Sequence, residues 1–154
     1  MFLRPERRKL WNMAQPPEPM DRANRHIAGY FYTNDIMVWG GGFSFYKLYD
    51  KAWKKQQQFF QPWDNKVKFI GYWEKNKPFT AQTANPDRVM VSAYVKGPKA
   101  MIAIANDTDS PQKVKVSYPG KKSASSFTGQ AVNIKDGKFT VELKPQVFEL
   151  VYLQ

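Results

Sequence analysis

The chain has 154 residues, enough for one domain with a real core, and its 42% hydrophobic and 16% aromatic content excludes a disordered polypeptide. It contains no cysteine, which excludes disulfides, thiolate metal sites and a cysteine nucleophile. The formal charge is +11, but residues 1–66 carry 11 basic and 6 acidic side chains and 67–154 carry 13 and 7, so the basicity forms no tail or stripe and argues against a dedicated nucleic-acid protein.

The N-terminus, "MFLRPERRKLWNMAQPPEP", has one basic cluster at Arg4–Lys9 and no apolar h-region, so it is not a signal peptide as written. The expected location is the cytoplasm, or the periplasm or exterior if the chain is part of a longer polypeptide. No window approaches the ~20 apolar residues of a membrane span. "QPPEP" at Gln15–Pro19 removes backbone donors and is expected to break any helix there. The run "HIAGYFYTNDIMVW" from His26 to Trp39 reads as a buried strand, a polar break at Thr33-Asn34-Asp35, and a second short buried piece. Gly40-Gly41-Gly42 follows as an unrestricted turn. Over 44–60 the apolar positions Phe45, Leu48, Tyr49, Ala52, Trp53, Phe59 and Phe60 form a 3.6-residue stripe, with Ser44 at the N-cap position and Pro62 beyond the end.

From Asn65 the period changes to two. "KVKFIGYW", "RVMVSAYVKG", "KAMIAIAND", "QKVKVSYPG", "FTGQAVNI", "KFTVELK" and "QVFELVYLQ" are separated by turn-formers, and Asp136-Gly137 is a strong hairpin signal. Lys113 and Lys115 alternate with Val114 and Val116, which predicts lysines on the solvent face and valines on the core face. The fold class expected is mainly β, an antiparallel sandwich of about seven strands over 65–154. Residues 1–64 form the preceding segment, with a partial βα unit and the amphipathic helix.

The glycines fit neither a P-loop, which needs Gly-Lys-Ser/Thr, nor a dinucleotide fingerprint, which needs G-x-G-x-x-G. His26 is the sole histidine and has no carboxylates at ligand spacing. "NDTDS" at Asn106–Ser110 offers oxygen donors but lacks the glycine and distal glutamate of a calcium loop, so it reads as a turn bonding its own backbone. No metal and no cofactor is expected. Paired-carboxylate chemistry would have to use Asp35, set among Tyr30, Phe31, Tyr32 and Trp39, with Glu74 as second choice. Nothing in their spacing brings the two together, so the chain alone is not expected to catalyse.

The order of an aromatic segment ending near Asp35, a helix carrying Trp53, then "KVKFIGYWEKNKP" and "VMVSAYVKGPKAMIAIANDTDSPQKVKVSYPG" resembles the C-terminal end of large bacterial glycoside-hydrolase-like proteins. These are the proteins grouped near glycoside hydrolase family 123, and the resemblance runs from Gly29 to Leu153. It implies a (β/α)8 barrel followed by a β-sandwich, with "FIGYWEKN" at the crossing and residues 27–60 as the last βα unit of the barrel. Asn34, Asp35 and Trp39 would then be rim contacts to a sugar, because barrel active sites are built from loops at that rim. Trp63, Tyr72 and Trp73 are candidate sugar-stacking rings. No catalytic residue is carried over. The implied partners are carbohydrate, through the parent protein, and the barrel portion of the same polypeptide. Two alternatives stand beside this: a free-standing carbohydrate-binding module, and a basic nucleic-acid or anionic-polymer binder.

Overall fold

A computed structural model describes residues 18–36, 44–61 and 63–154. Two helices, α1 (Glu18–Thr33) and α2 (Ser44–Phe59), precede eight strands: β1 (Lys68–Ile70), β2 (Thr80–Gln82), β3 (Val89–Lys96), β4 (Lys99–Asn106), β5 (Gln112–Ser117), β6 (Ala124–Ser126), β7 (Lys138–Leu143) and β8 (Val147–Leu153). The strands pair antiparallel into a five-stranded sheet, β1-β3-β4-β8-β6, and a three-stranded sheet, β2-β5-β7. The expected β-sandwich is therefore present, with the helices as a third layer.

Side-chain alternation along the strands assigns the layers. On β3 and β4, Val89, Val91, Ala93, Ile102 and Ile104 face inward and meet Val114, Val116, Phe139, Val141 and Leu143 of the smaller sheet. The opposite faces of the same strands, with that of β8, carry Met90, Tyr94, Met101, Ala103, Ala105, Phe148, Leu150 and Tyr152. These outer residues are buried by Ala28 and Tyr32 of α1, Tyr49 and Ala52 of α2, and Phe60 just beyond it. Gly29 lets α1 approach closely, since a Cβ there would sit 3.0 Å from that of Ala105 and 3.1 Å from that of Phe148. The smaller sheet has one wet face: along β5, Val114 and Val116 are buried and Lys113 and Lys115 exposed, as the alternation predicted.

Three expectations are corrected. The strand expected from His26 is part of α1, in which Asn24, Ala28 and Tyr32 recur every four residues on the buried face while Ile27 and Tyr30 stay exposed. A short apolar run does not distinguish a strand from a helix by periodicity alone. "QPPEP" does not exclude a helix throughout, because α1 begins at Glu18 and holds Pro19 in its first turn, where no intrahelical donor is lost. "FTGQAVNI" is not a strand. Its alternation is real, since Val132 and Ile134 pack on the core, but beyond the bond from the Phe127 amide to the Leu150 carbonyl (2.8 Å) it forms no strand, and the short strands β2 and β6 were not foreseen. The second helix, expected over 44–60, spans Ser44–Phe59. Gly40–Gly42, Trp39, Pro62 and the Arg4–Lys9 cluster lie outside the described residues.

The Asp136-Gly137 hairpin forms as expected. Lys135 and Lys138 exchange backbone bonds of 2.9 and 2.8 Å, and both turn residues have positive φ, 51° and 72°, the signature of a type I′ turn. Gly137 is doubly constrained, because a Cβ would lie 2.3 Å from the carbonyl oxygen of Tyr118 while the Tyr118 amide donates to Gly137 at 2.7 Å. Gly137→Ala is expected to cost about 1–3 kcal/mol, combining left-handed strain with that clash, and the midpoint of urea unfolding measures it.

Candidate functional site

Apolar side chains left exposed by the three layers gather along one end of the helix layer and β1. His26 lies against Tyr30 at 5.2 Å between ring centroids. Tyr72 meets Trp73 at 4.9 Å, Trp73 meets Phe69 at 5.9 Å, and Phe69 meets Tyr94 at 5.0 Å. Tyr94 and Asp35 line one small cavity, where the Asp35 charge acts on the Tyr94 phenol. Trp53 lines the same cavity and lies 6.3 Å from Trp63. The outer members of this aromatic belt are open to solvent: Trp63 is 58% exposed and Trp73 56%.

Buried polar groups hold the belt in place. Ser92, fully buried in β3, donates to the Thr33 carbonyl at the end of α1 (2.7 Å) and accepts the Tyr72 amide (3.0 Å). One hydroxyl thus fixes the helix terminus and the loop bearing Tyr72 and Trp73. Glu74 closes that loop by accepting the Gly71 amide at 2.7 Å, and Trp73 folds so tightly over Gly71 that a Cβ there would meet the indole at 2.5 Å. Helix α1 ends with Asp35 in the left-handed region (φ 55°) and the Ile36 amide bonded back to Phe31 at 2.9 Å, a Schellman closure with aspartate in the usual glycine place. The Asn34 amide donates to the Tyr30 carbonyl at 2.9 Å, so it serves the helix end.

At the other end of the belt Asp107 is the hub. It accepts from His26 Nε2 at 2.5 Å and from Arg88 Nε at 3.0 Å, and Tyr30 adds a third bond. Burial alone would raise its carboxyl, but the bonds from His26, Arg88 and Tyr30 outweigh that and hold it below the ordinary aspartate range. The neighbouring "NDTDS" segment is a self-bonded turn. Asn106 donates to the Ser110 and Lys144 carbonyls (2.9 and 2.8 Å) and accepts from the Thr108 amide and hydroxyl (2.9 and 2.7 Å).

Asn34, Asp35, Trp63, Tyr72 and Trp73, singled out in the sequence, therefore all fall on this belt or its supports, and Trp39 lies outside the described residues. Tyr30, Trp53, Phe69, Tyr94 and the Asp107 cluster were missed. A helical reading of residues 27–34 would have found Tyr30, because Ile27, Tyr30 and Asn34 share one face at helical spacing. The cavity shared by Asp35, Tyr32, Tyr94 and Gln56 holds about 30 Å³, the room of a single water rather than of a sugar ring. Burial, and then the Asp35 charge, push the Tyr94 phenol up, so it is a neutral hydrogen-bond donor at any ordinary pH.

Two predictions follow from these supports. Ser92→Ala leaves the Thr33 carbonyl and the Tyr72 amide without their partner, and is expected to cost about 1–3 kcal/mol in chemical unfolding. Asp107 has a folded pKa below its unfolded value of about 3.9, so its stabilisation is present above that value and lost as pH falls through the lower folded one. The wild type should accordingly exceed Asp107→Asn in unfolding midpoint at pH 6, and the gap should close on acidification below about pH 4.

A family model, "Glycoside hydrolase 123, C-terminal domain", matches residues 50–140, more than half of the chain. No curated protein matches. Among solved structures, a GH30 endoxylanase from Clostridium papyrosolvens C71 superposes with a TM-score of 0.51 at 14% identity, covering 86% of this chain and 38% of that one. The noncanonic maltogenic alpha-amylase AmyB from Thermotoga neapolitana gives 0.46 at 10% identity over 75% and 26% of the two chains. The family 30 subfamily 8 xylanase Xyn30A from Clostridium acetobutylicum gives 0.39 at 22% over 49% and 24%. The endoxylanase likeness is one of fold, and the chain spans well under half the length of any of the three. By the family match, this chain belongs to the glycoside hydrolase 123 C-terminal domain family.

Proposed function

We propose that the chain is the non-catalytic C-terminal portion of a glycoside-hydrolase-like protein, and that it stabilises a carbohydrate-active barrel by packing its aromatic belt against it. The observation that carries this reading is the set of half-exposed rings, Tyr30, Trp63 and the touching pair Tyr72 and Trp73, each costly to leave in water and together typical of a surface that meets protein. The carboxylates support it from the other side. Glycoside hydrolysis needs two of them converging on one bond. Asp50 pairs with Lys54, Asp64 with Lys96, Asp107 with His26 and Arg88, and Glu142 with Lys113. Glu74 accepts the Gly71 amide, and Asp35 lies beside Tyr94 in a cavity too small for a sugar ring. Among the described residues no helix is long and apolar enough to cross a membrane.

In this reading α1 and α2 are tied to the sandwich rather than to the barrel alone, since they cover one face of the five-stranded sheet. The exposed indoles also favour the second reading, a carbohydrate-binding module that stacks sugars on Trp63 and Trp73.

Hydroxyl-radical footprinting separates the two. The native polypeptide is immunopurified from source cells with an antibody to the sandwich, and oxidation of Trp63 and Trp73 is compared with that in the isolated chain. Protection of both in the native polypeptide is the expected result. Equal oxidation in both samples, with protection appearing only on addition of soluble glycan, would overturn docking in favour of the module.

A further inference from the structure

The outer face of the three-stranded sheet lies on the layer away from the helices and the aromatic belt. Strand register places Gln82, Lys115 and Thr140 in one row across β2, β5 and β7, and Thr80, Ser117 and Lys138 in the next. The segment at 131–134 runs alongside. Val132 and Ile134 turn into the core, and Asn133 lines the groove that results, a space of about 670 Å³. In the adjoining row Lys113 is neutralised by Glu142 at 3.5 Å. Lys115 and Lys138 have no carboxylate partner among the described residues, and they stand on the diagonal of one strand pair, about 7–8 Å apart.

We propose that this groove binds a uronate-bearing polysaccharide. The amides of Gln82 and Asn133 and the hydroxyls of Thr80, Ser117 and Thr140 are the donors and acceptors that sugar hydroxyls require. The two ammonium groups supply the charge for carboxylates, and the one acid in the adjoining row, Glu142, is engaged by Lys113. What the groove lacks narrows the ligand further. Its one ring, Phe139, is buried in the core at 4% exposure, so no platform is offered for stacking bases or the apolar face of a neutral sugar. Recognition by hydroxyl-matching groups and positive charge without rings selects an anionic, hydroxyl-rich polymer over nucleic acid and over a neutral glycan. The site stands apart from the docking belt, so either can fail without the other.

The test is binding of the whole chain, at low and at 0.3 M salt (roughly the range over which the Debye length halves), to polygalacturonate, neutral xylan, poly-L-glutamate and oligo-dT. Polygalacturonate is expected to bind most tightly and to weaken with salt. The double change Lys115→Gln with Lys138→Gln should weaken it about tenfold or more, whereas Lys51→Gln with Lys75→Gln, equal in charge but placed elsewhere, should change it less than about twofold. Far-UV circular dichroism and melting temperature confirm that both variants fold. No binding of polygalacturonate, equal loss in both variants, or equal affinity for polyglutamate or DNA would overturn the proposal. Equal affinity for those other polymers would leave a non-selective basic surface in its place.

Discussion

Strands β3, β4 and β8 carry apolar side chains on both faces, and a sheet of that kind is stable only when both faces are covered. The smaller sheet covers one, through Val114, Val116, Phe139 and Val141, and the two helices cover the other, through Ala28, Tyr32, Tyr49 and Ala52. A fully buried aliphatic or aromatic side chain is worth about 1.5–3 kcal/mol relative to exposure, so stripping the helices from Met101, Leu150 and Tyr152 alone would cost an amount comparable to a domain's margin of stability. The helices are for this reason part of the fold and not an attachment to it. Small residues at the contact, Ala103 and Ala105 below and Ala28 and Gly29 above, set how closely they approach.

The same arrangement generates both candidate surfaces. Among the described residues two helices cover the five-stranded sheet, and β1 and the end of α1 carry rings that have one face packed and one face wet, which is the aromatic belt. Pairing β5 with two strands of which β2 is short leaves an outer face too small to bury and too polar to aggregate, which is the lysine groove. Glu149 ties the layers at the far edge: its carboxylate sits in the middle of β8 and accepts the amides of Phe127, Thr128 and Leu150 at 2.8, 3.1 and 3.0 Å. Those bonds hold the chain after β6 against β8, in the way that buried charge is kept only when fully bonded.

Sequence periodicity was a sound guide wherever one face was wet. Lys113-Val114-Lys115-Val116 predicted its own orientation, and Asp136-Gly137 its own turn, because each depends on the residues themselves and on water. The reading from His26 to Tyr32 failed for a reason visible in the result. Half of that apolar run packs on the sheet while Ile27 and Tyr30 stay exposed, and the polar side chains that mark the helix, Arg22 and Arg25, lie before the run. In 127–134 the alternation reported burial of Val132 and Ile134 correctly but could not report ladder bonds, which need a partner strand. The runs "VMVSAYV", "AMIAIA" and "FELVYL" held an unused signal, because continuous apolar strands in an antiparallel sheet imply a second covering layer.

The sequence by itself determined the class of fold, the solvent face of the smaller sheet and the hairpin at 136–137, since these rest on local chemistry and on period, and it offered Asp35, Trp63, Tyr72 and Trp73 as candidates. Only the tertiary structure decided what those residues meet. Asp35 shares a small cavity with Tyr94, 59 positions away in the chain, Asp107 is bonded to His26, 81 away, and Thr33 to Ser92, 59 away. Such pairings are fixed by how three layers stack, and no window of sequence contains both partners.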